Sequence, residues 1–179
     1  MKKLMIAACA VALAAAAQAS AFNWKTSATG ALYNENATDK YTGTAYLFST
    51  GDSTQQAILT AWAAGTLSTS GALDSQAVTA GKVTAGTAFN WGNAGDNLNA
   101  FVVVDDGSKI FISDIVTAAG DASSTKSLSF NLKTGSTAKA LESETFAGQG
   151  WYAQAVPEPT SGLLLLLGVA GLALKRKRA

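Results

Sequence analysis

Carboxylates are the main side chains that could do chemistry in this chain, because it contains no histidine and a single cysteine. Histidine is the commonest general base and metal ligand, and a cysteine thiolate is a strong nucleophile. Asp105 and Asp106 are adjacent, so on a strand they would point to opposite faces and make a poor acid/base pair. Residues 105–108 are instead typical of a hairpin turn. Glu142 and Glu144 would share one strand face, where their mutual repulsion favours exposure to solvent. We therefore expect a protein that is not an enzyme.

An oxygen-rich loop supplies the other candidate chemistry. Asn93, Asp96, Asn97 and Asn99 carry side-chain oxygens of the kind that calcium prefers. The EF-hand pattern is absent, and no closing acidic residue follows at its spacing. We predict no bound metal and no cofactor.

The tryptophans allow two interpretations. Trp24, Trp91 and Trp151 could form a platform on which the apolar faces of pyranose rings stack, which would make the domain a carbohydrate-binding or adhesion module. Large aromatic side chains more often pack in the core, and we favour that interpretation for these residues and for Trp62. The segments 21–24 and 88–91 both read Ala-Phe-Asn-Trp, which indicates either coincidence, which we favour, or an internal repeat.

The C-terminal segment has three parts with different physical properties. Prolines at positions 157 and 159 hold the backbone extended and present Glu158 as a lone carboxylate. The uncharged run 161–174 would reach only about 21 Å as a helix, which makes it a short membrane anchor. A basic cluster then orients the anchor with its end in the cytoplasm. The two motifs are Val156, Pro157, Glu158, Pro159 and Lys175, Arg176, Lys177, Arg178.

This order of parts over residues 156–178 resembles the PEP-CTERM sorting signal of Gram-negative bacteria. The resemblance implies recognition by an exosortase, a polytopic membrane enzyme with a transpeptidase-like site, in cells that often make exopolysaccharide. On this resemblance Pro157, Glu158 and Pro159 are recognised by the enzyme and are not catalytic. The alternative is a permanent single-span protein with a rigid segment next to the membrane.

The N-terminus predicts export by the Sec machinery. A basic start, an apolar run over 4–17 and small residues after it form a signal peptide, with cleavage after Ala19 or Ala21. Cys9 lies within the apolar run, so the exported part contains no cysteine and can form no disulfide. We assign 1–21 to the signal peptide, 22–155 to one exported domain and 156–179 to the sorting signal.

Charge argues against nucleic acid as a partner. Residues 22–159 contain seven lysines, no arginine and twelve carboxylates, a net charge of −5. A domain without a basic patch has little electrostatic attraction for phosphates.

The central region predicts an all-β fold, a single β-sandwich-like domain with one short helix, flanked by the signal peptide and a C-terminal transmembrane helix. A helix N-cap and capping box are expected within 52–56, a buried face at Ile58, Leu59 and Trp62, and a stop at Gly65. Residues 98–104 and 109–113 should pair as a hairpin. The predicted strands are 41–49, 82–89, 98–104, 109–113, 126–132 and 150–155.

Three functions follow as hypotheses. The first is an exported, non-catalytic surface or extracellular-matrix protein, held in the inner membrane as a precursor with its domain in the periplasm and then displayed outside the cell. The second is the carbohydrate-binding or adhesion module. The third, a carboxylate hydrolase, requires two acidic side chains about 5 to 9 Å apart, and no spacing in the sequence favours such a pair.

Overall fold

A computed structural model describes residues 19–34, 38–133, 139–140 and 145–153, the pair 139–140 as backbone only. The prediction of an all-β domain with one short helix is confirmed, because these residues form two sheets and a single α-helix. The predicted signal peptide up to residue 18 and the sorting segment from residue 154 onwards lie outside the described residues.

The elements alternate between short strands and turns. The helices are α1 (Gln55–Ala63) and a 3₁₀ turn (Thr69–Gly71). The strands are β1 (Ala19–Thr26), β2 (Gly43–Ser49), β3 (Asp74–Val78), β4 (Phe89–Asn93), β5 (Asn97–Asp105), β6 (Lys109–Ile112), β7 (Val116–Ala119), β8 (Lys126–Phe130), β9 (Lys139–Ala140) and β10 (Gly150–Ala153).

The two sheets differ in size and in their pairing. The smaller has the order β4-β1-β8, in which β1 pairs antiparallel with β4 and parallel with β8. The larger has the order β3-β2-β5-β6-β10-β9, with β7 paired to β5. Strand β4 lies at one edge of the smaller sheet, and β3 lies at one edge of the larger sheet.

The larger sheet is buried on both faces. Along β5, Val102 and Val104 belong to a core shared with the smaller sheet, whereas Phe101 and Val103 belong to a second core beneath α1. Successive strand residues point to opposite faces, so a run with no polar position requires cover on both sides. The domain is therefore a sandwich of two sheets with the helix as a third layer.

Helix α1 has the predicted apolar face, since Ile58, Leu59 and Trp62 are all buried. The predicted capping box is wrong: the N-cap is Thr54, whose hydroxyl accepts from the backbone N–H of Ala57, and alanine cannot complete a reciprocal pair. Gly65 ends the helix as predicted, with φ at +68°.

Two strand predictions have different outcomes. The hairpin is confirmed, with Val104 opposite Phe111 across the turn. The strand predicted over 82–89 is wrong, because only its last residue enters β4. Val83 is nevertheless buried, and both of its backbone groups bond to Thr26. The Thr26 N–H donates to the Val83 carbonyl, and the Thr26 hydroxyl accepts from the Val83 N–H.

Candidate functional site

Strand β10 carries the described chain to within three residues of Val156, and it lies inside the larger sheet. It pairs antiparallel with β6 and parallel with β9. Trp151 points into the core between the sheets, where its ring packs against Tyr41 and Phe111. Its indole N–H donates to the Tyr33 carbonyl at 2.8 Å. The base of the C-terminal segment is thus anchored by a buried aromatic residue.

Tyr152 anchors the other face of β10. Its ring is buried in the core beneath α1 and packs against Phe146. Its hydroxyl accepts from the Ala147 N–H at 3.0 Å and donates to the Gly148 carbonyl at 2.5 Å. Burial is the main cause that raises the pKa of Tyr152. The turn before β10 is therefore tied to the strand that follows it.

Gln149 joins the same turn to two other segments, and Phe146 joins it to the helix. Its amide group donates to the carbonyls of Asn131 and Lys133, and its side-chain oxygen accepts from the N–H of Asp114. The N–H of Phe146 donates to the side chain of Gln56 on α1 at 2.6 Å. These bonds connect the turn before β10 to segments that follow β6 and β8 and to helix α1.

The connection from β10 to the proline-flanked glutamate is short. Ala153 is followed by only three residues before Pro157. An extended chain covers at most about 3.6 Å per residue, so a link of this length reaches no more than about 14 Å. Val156, Pro157, Glu158, Pro159 and the cluster Lys175, Arg176, Lys177, Arg178 themselves lie outside the described residues.

The possible sugar platform of Trp24, Trp91 and Trp151 is not assembled. Trp24 and Trp151 are 0% and 2% exposed, so neither offers a ring face to a ligand. The indole N–H of Trp24 donates to Asp74 at 2.7 Å. Trp91 alone is half-buried, at the edge of the smaller sheet against Phe22. Trp24 and Trp151 face inward because both fill space in the core between the two sheets.

The repeated Ala-Phe-Asn-Trp segments lie side by side. Phe22 in β1 is opposite Phe89 in β4, and the two strands run antiparallel. Their rings stack with centroids 6.2 Å apart. Similar residues therefore meet as neighbouring strands of one sheet.

The adjacent carboxylates Asp105 and Asp106 act as turn acceptors. Asp105 accepts from the Gly107 N–H and from the indole N–H of Trp62, at 2.9 and 3.1 Å. Asp106 accepts from the N–H groups of Ser108 and Lys109, at 3.0 and 2.7 Å. Both side chains hold the hairpin, as the sequence predicts.

Side-chain oxygens of the oxygen-rich loop are used in hydrogen bonds within the protein. Asp96 accepts from the Asn93 N–H at 2.8 Å, and Asn99 accepts from the Thr117 hydroxyl. Within the described ranges, no three histidine, cysteine or acidic side chains gather where they could hold a metal ion.

Both predicted cleavage positions lie on β1. Ala19 is exposed at the start of the strand, whereas Ala21 is half-buried and opposite Asn90. Ser20 between them is fully buried, and a Cβ on Gly120 would come within 2.4 Å of its hydroxyl.

The structure also contains a groove that no sequence motif predicts. It has a volume of about 630 Å³ and lies between the edge strand β3 and the irregular segment that precedes β4. Its lining is mostly hydroxyl and amide side chains with one carboxylate and one ammonium group. The residues that line it include Asp74, Ser75, Gln76, Thr79, Lys82 and Thr84. An alternating polar strand is a weak signal for a site, because most edge strands have one.

Comparison with known proteins identifies one segment. The PEP-CTERM protein-sorting motif matches residues 155–178, which confirms the resemblance seen in the sequence. The chain has no match among curated proteins or among solved structures. Among the residues described by the structure, no helix has the length and apolar character to cross a membrane.

Proposed function

We propose that this chain is an exported, non-catalytic surface or extracellular-matrix protein, sorted through a C-terminal signal that an exosortase processes. The PEP-CTERM motif at residues 155–178 carries the proposal. The Sec machinery exports the precursor after recognition of residues 1–21. The inner membrane then holds it by its C-terminus, with the domain in the periplasm, before display outside a Gram-negative cell in a matrix that includes exopolysaccharide.

The physical logic of the signal lies in its three parts. Prolines on both sides of Glu158 favour an extended backbone, which suits a segment that enters the active site of a processing enzyme. The apolar run holds this segment at the membrane, and the cluster that begins at Lys175 prevents its passage across. Because β10 ends three residues before Val156, the enzyme works close to a folded domain.

The non-catalytic assignment rests on which side chains the domain offers. The chain contains no histidine, and its cysteine lies in the predicted signal peptide. Asp105 and Asp106 are occupied as hairpin acceptors. The Ser123 N–H and the Lys126 ammonium group hold the pKa of Asp121 well below its usual range, so this carboxylate would not act as a general acid near neutral pH.

Intact-mass measurement tests the sorting proposal. The surface-associated protein should be shorter at both ends than the full chain in cells with the exosortase, and should keep its C-terminal segment in cells without it. Glu158→Ala should block C-terminal processing, whereas Glu144→Ala, a matched change outside the motif, should leave it intact. A surface form that still ends in Ala179 in cells with the exosortase would contradict the proposal and favour a permanent anchor.

A further inference from the structure

The groove beside β3 is built around a carboxylate of fixed orientation. Oδ2 of Asp74 accepts from the buried indole N–H of Trp24 at 2.7 Å and from the amide of Gln76 at 2.9 Å. No described residue donates to Oδ1 of Asp74, which leaves this oxygen available to a ligand in the groove. A carboxylate that is already oriented loses little conformational freedom when it binds.

The opposite wall holds Gln76 in place. A Cβ on Gly86 would lie 2.8 Å from the amide carbon and nitrogen of Gln76, so the absence of a side chain at Gly86 lets the amide lie against the backbone. Gly86 itself lines the groove. The amide of Gln76 is therefore fixed by Asp74 on one side and by Gly86 on the other.

The remaining lining consists of groups that both donate and accept hydrogen bonds. Ser75, Thr79, Thr84 and Thr87 contribute hydroxyls along the two walls. Asp74 and the ammonium group of Lys82 carry opposite charges, and Lys82 already donates to the Ala28 carbonyl at 3.0 Å. The groove thus offers no net charge to a ligand.

We propose that this groove binds a neutral oligosaccharide, with Asp74 accepting from a sugar hydroxyl and Gln76 and the threonines completing the hydrogen bonds. Sugar hydroxyls donate and accept, as the lining does. Peptide grooves instead use apolar pockets for side chains, and Ala77 is the one fully aliphatic side chain among the described lining residues. Because Asp74 and Lys82 offset each other, the groove gives an anionic sugar no net attraction, and the carboxylate of Asp74 would repel its charge at the point of contact.

Trp24 supplies a reporter for the test, because its indole N–H touches the carboxylate that the ligand would contact. The chain contains four tryptophans, so full-length protein labelled with fluorotryptophan and held in detergent micelles gives four fluorine NMR signals. Trp→Phe variants assign them. Maltopentaose, cellopentaose and a β-galactan oligomer serve as neutral probes, and trigalacturonate serves as the charged probe.

At least one neutral probe should shift the Trp24 signal while the Trp62 and Trp151 signals stay in place. Asp74→Asn should weaken binding about tenfold, because it removes a charged acceptor but leaves an oxygen for the indole of Trp24. Gly86→Ala should also weaken binding, since the new methyl pushes the amide of Gln76 out of the position in which Asp74 and Gly86 hold it. Gly71→Ala is the matched control, because a Cβ there meets nothing within 4 Å.

Three results would overturn the inference. The first is the absence of a Trp24 shift with every neutral probe. The second is tighter binding of trigalacturonate than of the neutral probes. The third is that Asp74→Asn and Gly86→Ala bind the neutral probe with the same affinity as the unmodified protein. A Trp24 shift produced only by an extended serine- and threonine-rich peptide would likewise replace the sugar by a peptide partner. The sorting proposal is unaffected by any of these, because it depends on residues 155–178.

Discussion

Replacement of Trp151 by alanine tests whether β10 is an integral part of the domain from which the sorting signal emerges. The side chain is 2% exposed, packs on Tyr41 and Phe111 and donates to the Tyr33 carbonyl. Truncation of a buried tryptophan costs about 3–5 kcal/mol, because it removes apolar contacts and leaves a cavity. Domains of this kind unfold with a free energy of about 5–15 kcal/mol, so Trp151→Ala should remove a large part of the total.

The expected loss of unfolding free energy corresponds to a larger population of unfolded protein. Each 1.4 kcal/mol is a factor of ten, so the ratio of unfolded to folded protein should rise by a factor of about a hundred to a few thousand. Urea unfolding of the full-length protein in detergent, followed by near-ultraviolet circular dichroism, measures the change. Trp151→Phe keeps an aromatic ring and should cost less than the alanine variant.

Trp91→Ala is the matched control for this prediction. Trp91 is half-buried at the edge strand β4, so its truncation should cost only about 1–2 kcal/mol. If Trp151→Ala costs no more than Trp91→Ala, the anchoring of β10 by its tryptophan is refuted. The inference that processing takes place next to a rigid strand would then lose its support.

Three other measurements probe the rest of the structure. Burial raises the pKa of Tyr152 and of Tyr41 above the value in the unfolded chain. The free energy of unfolding should therefore fall as the pH rises above about 10, and this fall should be smaller in Tyr152→Phe. Gly65→Ala should cost about 1 kcal/mol in urea unfolding, because its φ of +68° strains any side chain. N-terminal sequencing should show cleavage after Ala19, since cleavage after Ala21 would remove the buried Ser20 from β1.

Each of these has a result that would contradict it. A pH dependence above 10 that is unchanged in Tyr152→Phe would mean that this phenol stays as accessible as in the unfolded chain. Gly71→Ala, where no φ strain exists, should be neutral, and equal effects at Gly65 and Gly71 would exclude the backbone explanation. A mature chain that begins at Phe22 would show that β1 tolerates the loss of its first residues.

The sequence predicts those features that depend on residues close together in the chain. The residues after Val104 predict the β5–β6 hairpin because the turn is stabilised by their own side chains. In the structure the carboxylate of Asp106 accepts from the N–H of Lys109. The spacing of Ile58, Leu59 and Trp62 predicts a buried helix face for the same reason. The sorting motif is read from the order of residue types, and the motif match at 155–178 confirms it.

Sequence by itself thus determined the β-rich class, the hairpin, the helix face and the sorting segment, since each depends on neighbours in the chain. Only the tertiary structure decided that Trp24 faces inward to Asp74, that β1 lies parallel to β8 and that the larger sheet is covered on both faces. These features join residues far apart in sequence, such as Trp24 and Asp74, and their pairing is selected by burial and hydrogen bonding that exist only once the sheets have packed.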